Sequence, residues 1–167
     1  MTPYSAINII GFNSPEWAYS FAGGILGNYL PIGIYTTNGP EACEYIANHS
    51  ECEVVVMEDR THLSKYIKII DKIPKVKFFI LYKDVVPNDL PHQLKGKVFT
   101  WNQLIEYGLK KYSFFYHSYK PTKVEDEIDY RMDVQKPGNC CTFIYTSGTT
   151  GPPKAVMLSH DNYTWIS

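Results

Sequence analysis

The chain has 167 residues, of which 44% are hydrophobic, 20% charged and 15% aromatic, and its formal net charge at pH 7 is −1. This composition is too apolar for an intrinsically disordered chain. A net charge so close to zero argues against a large electrostatic surface for nucleic acid. The length suits one domain, or part of a larger one.

Short apolar runs alternate with helical patterns along the first half of the chain. Four runs predict buried strands, namely Ala6–Phe12, Pro31–Thr36, Glu53–Glu58 and Val76–Tyr82. Ser14 can cap a helix that starts at Pro15, Pro40 opens a second helix, and residues 61–73 have helical spacing. This alternation predicts an α/β fold, a parallel sheet with helices on both faces.

The most apolar stretch runs from Trp17 to Tyr35, and it is interrupted by three glycines, Asn28 and Pro31. A membrane-spanning helix needs about 20 predominantly apolar residues without such interruptions. We therefore predict a buried helix followed by a strand and no transmembrane segment. Peripheral association with a membrane stays open.

The second half is less regular. Residues Lys83–Leu94 are predicted to be loop, and Lys97–Lys111 a short strand followed by a helix. The segment Ser113–Gly138 is polar and carries the charged run KVEDEIDYRMD, which we interpret as a solvated linker rather than an acidic binding tail. Cys140–Thr146 predicts a further buried strand.

The cysteines give no metal-binding pattern. Cys140 and Cys141 are neighbours, and neighbours in a strand point to opposite faces, so the two cannot easily share one metal ion. Cys43 and Cys52 complete the set, and no C-x-x-C occurs. Without a secretory signal, reduced thiols and a cytoplasmic location are predicted.

The stretch YTSGTTGPPK, from Tyr145 to Lys154, joins two predicted strands, because Ala155–Ser159 also has strand character. Successive backbone N–H groups in a tight Gly-rich turn form an anion-binding nest, and glycines let the backbone approach a phosphate closely. Lys154 adds a point charge. The alternative is a solvent-exposed hairpin without a ligand, but the concentration of hydroxyls, glycines and lysine favours polyphosphate.

The predicted phosphate-binding residues are Thr146, Ser147, Gly148, Thr149, Thr150, Gly151, Pro152, Pro153 and Lys154. They do not form the usual P-loop, because Gly148 and Gly151 are only three positions apart and no hydroxyl residue follows Lys154. No metal ligand and no catalytic residue is assigned.

The run YTSGTTGPPKAVMLSHDN resembles the AMP-binding signature of the adenylate-forming superfamily. GFNSPEW, GIYTTNGPEACEYIA and CCTFIYTSGTTG resemble the bubblegum-type long-chain acyl-CoA synthetases. The likeness extends from about Ala6 to the end of the chain and is weakest across Lys83–Pro137.

The resemblance implies a two-step reaction with ATP, Mg²⁺, a long-chain fatty acid and coenzyme A, and no nucleic acid. A fatty carboxylate attacks the α-phosphorus of ATP and releases pyrophosphate, and the thiol of coenzyme A then displaces AMP. The loop matching Thr146–Lys154 holds the β- and γ-phosphates in such enzymes, where the charge of the leaving pyrophosphate must be neutralised. It further implies a cytoplasmic protein, with contact to the endoplasmic reticulum or another membrane left open.

Two departures from this pattern stand out. Ala155 occupies a position where the family usually has glycine, and it would cost about 1 kcal/mol if that position required a positive φ. The family's downstream motifs and its small C-terminal domain have no counterpart in residues 1–167. We therefore expect a partial N-terminal AMP-binding domain that is inactive alone.

Two other functions remain open from the sequence. The chain is alternatively a non-catalytic nucleotide-binding or regulatory module, or a non-functional truncated product. A reading frame that continues past Ser167 would favour the synthetase, and titration with ATP would separate the other two.

Overall fold

A computed structural model describes residues 1–116, 123–146 and 152–166. The strands are β1 (Ala6–Ile10), β2 (Leu30–Ile34), β3 (Cys52–Met57), β4 (Phe78–Leu81), β5 (Val98–Thr100), β6 (Cys140–Thr146) and β7 (Lys154–Ser159). The helices are α1 (Pro15–Leu26), α2 (Pro40–His49), α3 (Arg60–Ile67), α4 (Trp101–Tyr116), α5 (Lys123–Asp133) and α6 (His160–Ile166). Short 3-10 turns lie at Ile70–Lys72 and His92–Leu94.

The first five strands form one parallel sheet in the order β2-β1-β3-β4-β5. Helices α2 and α3 pack on one face, and α1 and the start of α4 pack on the other. Neighbouring residues of a strand point to opposite faces, so Ile9 and Ile10 enter the two different cores, and both are fully buried. The predicted α/β fold is confirmed, and burial on both faces explains the continuous apolar runs.

Capping residues explain where the helices begin. The hydroxyl of Ser14 accepts a hydrogen bond from the Trp17 amide at 3.1 Å, so α1 starts at Pro15 as predicted. Asp59 caps α3 in the same way, accepting from the His62 amide at 3.0 Å. These local hydrogen bonds satisfy amides that the first helical turn leaves unpaired.

The prediction that α1 is a buried helix was wrong. Trp17 and Phe21 pack against the sheet, but Tyr19 is 66% exposed and Leu26 46% exposed, and Gly24 is the helix's one fully buried residue. The helix is apolar around most of its circumference, and the sheet, α5 and Tyr163 cover only part of it. Among the described residues, no helix combines the length and apolarity needed to cross a bilayer.

The interpretation of Ser113–Gly138 as irregular was wrong for its described residues, because α4 continues to Tyr116 and α5 occupies Lys123–Asp133. Residues 126–130 are exposed, as a solvated segment should be, and residues 117–122 lie outside the described part of the chain. Arg131 donates to the Gly27 carbonyl at 3.0 Å and to the Tyr29 hydroxyl at 2.8 Å. These groups lie at the C-terminal end of α1, where unpaired carbonyls and the helix dipole favour a cation. The charged run is therefore a helix whose arginine caps another helix.

Strand β6 is not part of the parallel sheet. It pairs antiparallel with β7 in a separate two-stranded sheet, and it is only partly buried. It lies beside β2, where the Thr142 hydroxyl donates to the Pro31 carbonyl. In a strand, the N–H and C=O of one residue point to the same side, so an N–H of Pro31 would point toward β6. Proline has no N–H, and the backbone of β2 therefore offers β6 no hydrogen-bond donor at this position.

Candidate functional site

The predicted phosphate-binding segment connects the two strands of the β6–β7 hairpin. Thr146, the last residue of β6, pairs with Lys154, the first residue of β7, and the Thr146 hydroxyl lies 3.5 Å from the Lys154 carbonyl. Residues opposite each other in an antiparallel pair project from the same face of the sheet. The hydroxyl and the ammonium therefore start from one side at the base of the connection.

Four of the nine predicted residues lie in the described part of the chain. Thr146, Pro152 and Lys154 are exposed, and Pro153 is half-buried. The other five, Ser147, Gly148, Thr149, Thr150 and Gly151, lie outside the described residues. No ion pair joins Lys154 to another described residue, so its charge is not neutralised within that part of the structure.

Ala155 sits in a regular strand. It pairs with Tyr145, is half-buried, and packs against the larger core. Its backbone is not among the described non-glycine residues with positive φ, which are Tyr4, Asn28 and Glu51. The condition for strain at Ala155 is therefore not met, and its methyl group contributes packing instead.

Tyr145 attaches the hairpin to α2. Its side chain is 4% exposed, and its hydroxyl lies 2.8 Å from Nδ1 of His49, a residue 96 positions earlier in the chain. Burial and nearby Tyr45 raise the pKa of Tyr145 to about 12, against a hydrogen bond with Ser50 that lowers it. The phenol therefore keeps its proton at neutral pH.

A cavity of about 400 Å³, which no sequence pattern indicated, lies at the carboxyl ends of β1 and β2. Its walls come from α1, from β6 and from α6, and they include Trp17, Phe21, Phe143 and Tyr163. Trp17 stacks on Phe21 with ring centroids 5.4 Å apart. Ligand sites in parallel sheets commonly lie beyond the carboxyl ends of the strands, and β6 leads from this cavity directly into the loop.

A polar clamp fixes the turn after β1 that borders this cavity. The Phe12 amide donates to the Glu58 carboxylate at 2.8 Å, and Lys83 contacts the same carboxylate at 2.6 Å. The hydrogen bond from Lys83 has the largest effect on the pKa of Glu58, and together with that from the Phe12 amide it holds this pKa below its usual value. Gly11 has a φ of 157°, and a Cβ there would lie 1.9 Å from the Tyr82 hydroxyl oxygen, so only glycine fits.

Metal ligands are not concentrated anywhere in the described residues, where no three His, Cys, Asp or Glu side chains converge. The four cysteines are free thiols. The hydroxyl of Thr146 and the ammonium of Lys154 instead suit phosphate oxygens. Mg²⁺ that binds together with phosphates retains several waters and takes one or two carboxylates, and these two side chains supply none.

Comparison with known proteins identifies the family of the chain. The profile of the AMP-binding enzyme family matches residues 1–166. The chain belongs to this family of AMP-binding enzymes.

Relatives narrow the class further. The chain is 39% identical over 164 residues to the long-chain-fatty-acid–CoA ligase ACSBG2 of Xenopus laevis, covering 98% of this chain and 20% of that protein. It is 39% identical over 162 residues to the ligase ACSBG1 of Rattus norvegicus, covering 97% of this chain and 20% of that one. The chain thus spans about a fifth of the length of these curated relatives.

Solved structures agree at the level of the fold. The anthranilate CoA ligase AuaEII, crystallised with anthranoyl-AMP, superimposes with a TM-score of 0.65 over 96% of this chain and 26% of that one, at 18% identity. An identity this low supports a shared fold alone. The parallel sheet with its helices therefore corresponds to a portion of the fold of an adenylate-forming enzyme.

Proposed function

We propose that this chain is part of the N-terminal domain of an ATP-dependent long-chain fatty acid–CoA ligase. Its membership of the AMP-binding family and its identity of 36–39% to fatty acid–CoA ligases support the proposal. The substrates would be ATP with Mg²⁺, a long-chain fatty acid and coenzyme A. The activity is proposed for the polypeptide that carries this segment.

Within that reaction, the segment from Thr146 to Lys154 binds the β- and γ-phosphates of ATP. The observation that carries this assignment is the pairing of Thr146 with Lys154 at the base of the loop. Because of this pairing, the neutral donor of Thr146 and the cation of Lys154 project from the same face of the hairpin. The sequence that connects the two residues is rich in Gly and Thr. Both side chains are exposed, so a polyphosphate can reach them without rearrangement of the core.

The chemical task of these residues is to stabilise negative charge. When the fatty carboxylate attacks the α-phosphorus, the bond to the β-phosphate breaks and charge grows on the departing pyrophosphate. A fixed ammonium and prealigned donors stabilise that charge more in this transition state than in the ground state. In the second step the thiol of coenzyme A attacks the acyl carbonyl and AMP leaves, so the pyrophosphate site has no part in it.

The test separates the two half-reactions in an enzyme that carries this segment. Lys154→Ala should slow ATP–pyrophosphate exchange about tenfold to a hundredfold, because a charge-assisted hydrogen bond is worth about 1.5–3 kcal/mol. Thioester formation from supplied acyl-adenylate should be nearly unchanged. Lys95→Ala removes another exposed lysine and should change neither rate.

Two results would contradict the proposal. Unchanged exchange in Lys154→Ala would make Lys154 an ordinary surface residue of the hairpin. An equal loss in both half-reactions would indicate a folding defect rather than a phosphate contact.

A further inference from the structure

Two side chains far apart in the chain meet next to the strand ends that flank the proposed phosphate loop. Tyr145 precedes Thr146 in β6 and pairs with Ala155, the residue after Lys154. Its side chain therefore lies one position from each end of the loop, on the face of the hairpin that packs against the larger core. Any displacement of Tyr145 moves both strand ends from which Thr146 and Lys154 start.

The contact of this tyrosine with α2 has a defined geometry. The His49 ring meets the Tyr145 ring edge-on, with centroids 5.7 Å apart and an interplanar angle of 81°. The hydroxyl–Nδ1 distance of 2.8 Å is that of a good hydrogen bond. On its other side, His49 stacks on Tyr45 at 5.4 Å, which holds the imidazole in place although it is exposed.

The contact between Tyr145 and His49 matters for the direction of β6, because little else in the described part of the chain attaches this strand to the parallel sheet. No backbone ladder joins β6 to β2. Instead Thr142, which lies three residues before Tyr145, donates a hydrogen bond from its hydroxyl to Pro31. The Thr142 bond fixes the middle of β6, while the loop end is held by Tyr145. Two separated attachment points define the direction of a strand, and one does not.

From this arrangement we infer that Tyr145 and His49 are positioning residues, which set the placement of Thr146 and Lys154 for phosphate binding. The role in phosphate binding rests on the proposed function, whereas the placement of the strand ends does not. Neither residue touches the phosphates. Their effect passes through the backbone of β6 and β7.

The first experiment measures placement without any ligand. Amide hydrogen exchange of Thr146 and Lys154 is compared between wild type, Tyr145→Phe and His49→Leu, with the Ile9 amide in the buried sheet as reference. Tyr145→Phe keeps the buried ring and removes the hydroxyl, with its bonds to His49 and Ser50, whereas His49→Leu leaves the bond to Ser50 in place. Loss of one partly exposed hydrogen bond should speed exchange at both strand ends about two- to fivefold and leave Ile9 unchanged.

Conservative rescue separates the hydrogen bond from general packing. His49→Asn places an amide near the position of Nδ1 and should restore slow exchange, whereas His49→Leu should not, although both lose the stack on Tyr45. The double variant Tyr145→Phe/His49→Leu should show less than the sum of the two single effects, because the bond between Tyr145 and His49 is lost in both single variants and can be lost only once. Tyr19→Phe removes an exposed hydroxyl on α1 and should have no effect.

The second experiment adds pyrophosphate with Mg²⁺ and measures the dissociation constant. The single variants Tyr145→Phe and His49→Leu should bind about two- to fivefold more weakly than wild type, and His49→Asn should bind like wild type. Exchange rates unchanged in Tyr145→Phe, or effects of Tyr145→Phe and His49→Leu that add, would overturn the inference. A third outcome is that the variants show the expected exchange effects while wild type binds no pyrophosphate. This would overturn the phosphate site and leave the placement of the hairpin by Tyr145 and His49 established.

Discussion

The parallel sheet and the β6–β7 hairpin differ sharply in how they are stabilised. The central strands bury residues such as Ile9, Val55 and Phe79 completely, between helices on both faces. In the hairpin, Ile144 is 43% exposed and Met157 is 67% exposed. The sheet is a packed core, and the hairpin is a thin layer attached at its edge.

The difference shows that the fold and the proposed chemistry depend on separate parts of the chain. Burial of apolar surface contributes most of the stability of a domain, and here that burial is concentrated in the sheet. The exposed ends of the hairpin carry the hydroxyl and the ammonium that a phosphate would need. Substitutions should therefore divide into those that change stability and those that change ligand binding.

The largest expected effect is in the sheet. Phe79→Ala should lower the free energy of unfolding by about 3–5 kcal/mol, because it removes a fully buried ring that packs edge-on against Tyr66. Ile144→Ala in the exposed face of β6 should cost under about 1 kcal/mol. Urea denaturation of both variants measures the contrast, and equal losses would show that the two regions are not energetically distinct.

A smaller effect is expected at the clamp after β1. Glu58→Gln should cost about 1 kcal/mol at neutral pH, because the ion pair with Lys83 is lost while an oxygen remains for the Phe12 amide. The lowered pKa of Glu58 means that its contribution is complete above the unfolded pKa and disappears as pH falls through the folded value. The difference between wild type and variant should close in acid, and a difference constant from pH 7 to pH 3 would refute this role.

Next in size is the effect expected at Ala155 in β7. Ala155→Gly should destabilise the chain by about 0.5–1 kcal/mol, since a strand loses a packed methyl group and gains backbone freedom. From the sequence alone, a strained Ala155 predicted equal or higher activity for Ala155→Gly. A thermal melt that rises in Ala155→Gly would show that the regular strand geometry at this position is misleading.

The smallest effect on stability is expected at the exposed apolar side chains. Met157→Ser, combined with Trp165→Ser at a residue 91% exposed, should change the free energy of unfolding by less than about 0.5 kcal/mol. The same pair should raise the fraction of soluble monomer, because exposed apolar patches and open strand edges promote association. Size-exclusion chromatography of the variant and wild type at matched concentration measures this fraction. Unchanged association would show that another surface mediates it.

Much of the sheet could be predicted because its determinants are local. Ser14 and Pro15 define a helix start within two residues, and an apolar β-branched run such as Val54–Val56 indicates a buried strand. The helix α5 was missed because its sequence is mostly charged, and what orients it is a set of contacts more than 100 residues away, from Arg131 to Gly27 and Tyr29.

The site shows the same division between local and distant information. The segment from Thr146 to Lys154 could be proposed as a phosphate site from its residue types, and the flanking strands were predicted nearly at their observed bounds. The attachment of Tyr145 to His49 could not, because 96 residues separate the partners and a histidine at a helix end has no distinctive pattern. Residue types reveal what a loop can bind, and only the fold reveals what holds it in place.

Pro31 gives the molecule a predictable order of mechanical failure. A parallel ladder pulled along its strands loads several backbone hydrogen bonds together, whereas β6 is attached to β2 by the Thr142 side chain and to α2 by Tyr145. Bonds that are loaded one after another break at lower force than bonds that share a load. In a single-molecule stretching experiment with handles at the two ends of the chain, the hairpin should therefore detach first, while the five parallel strands stay folded.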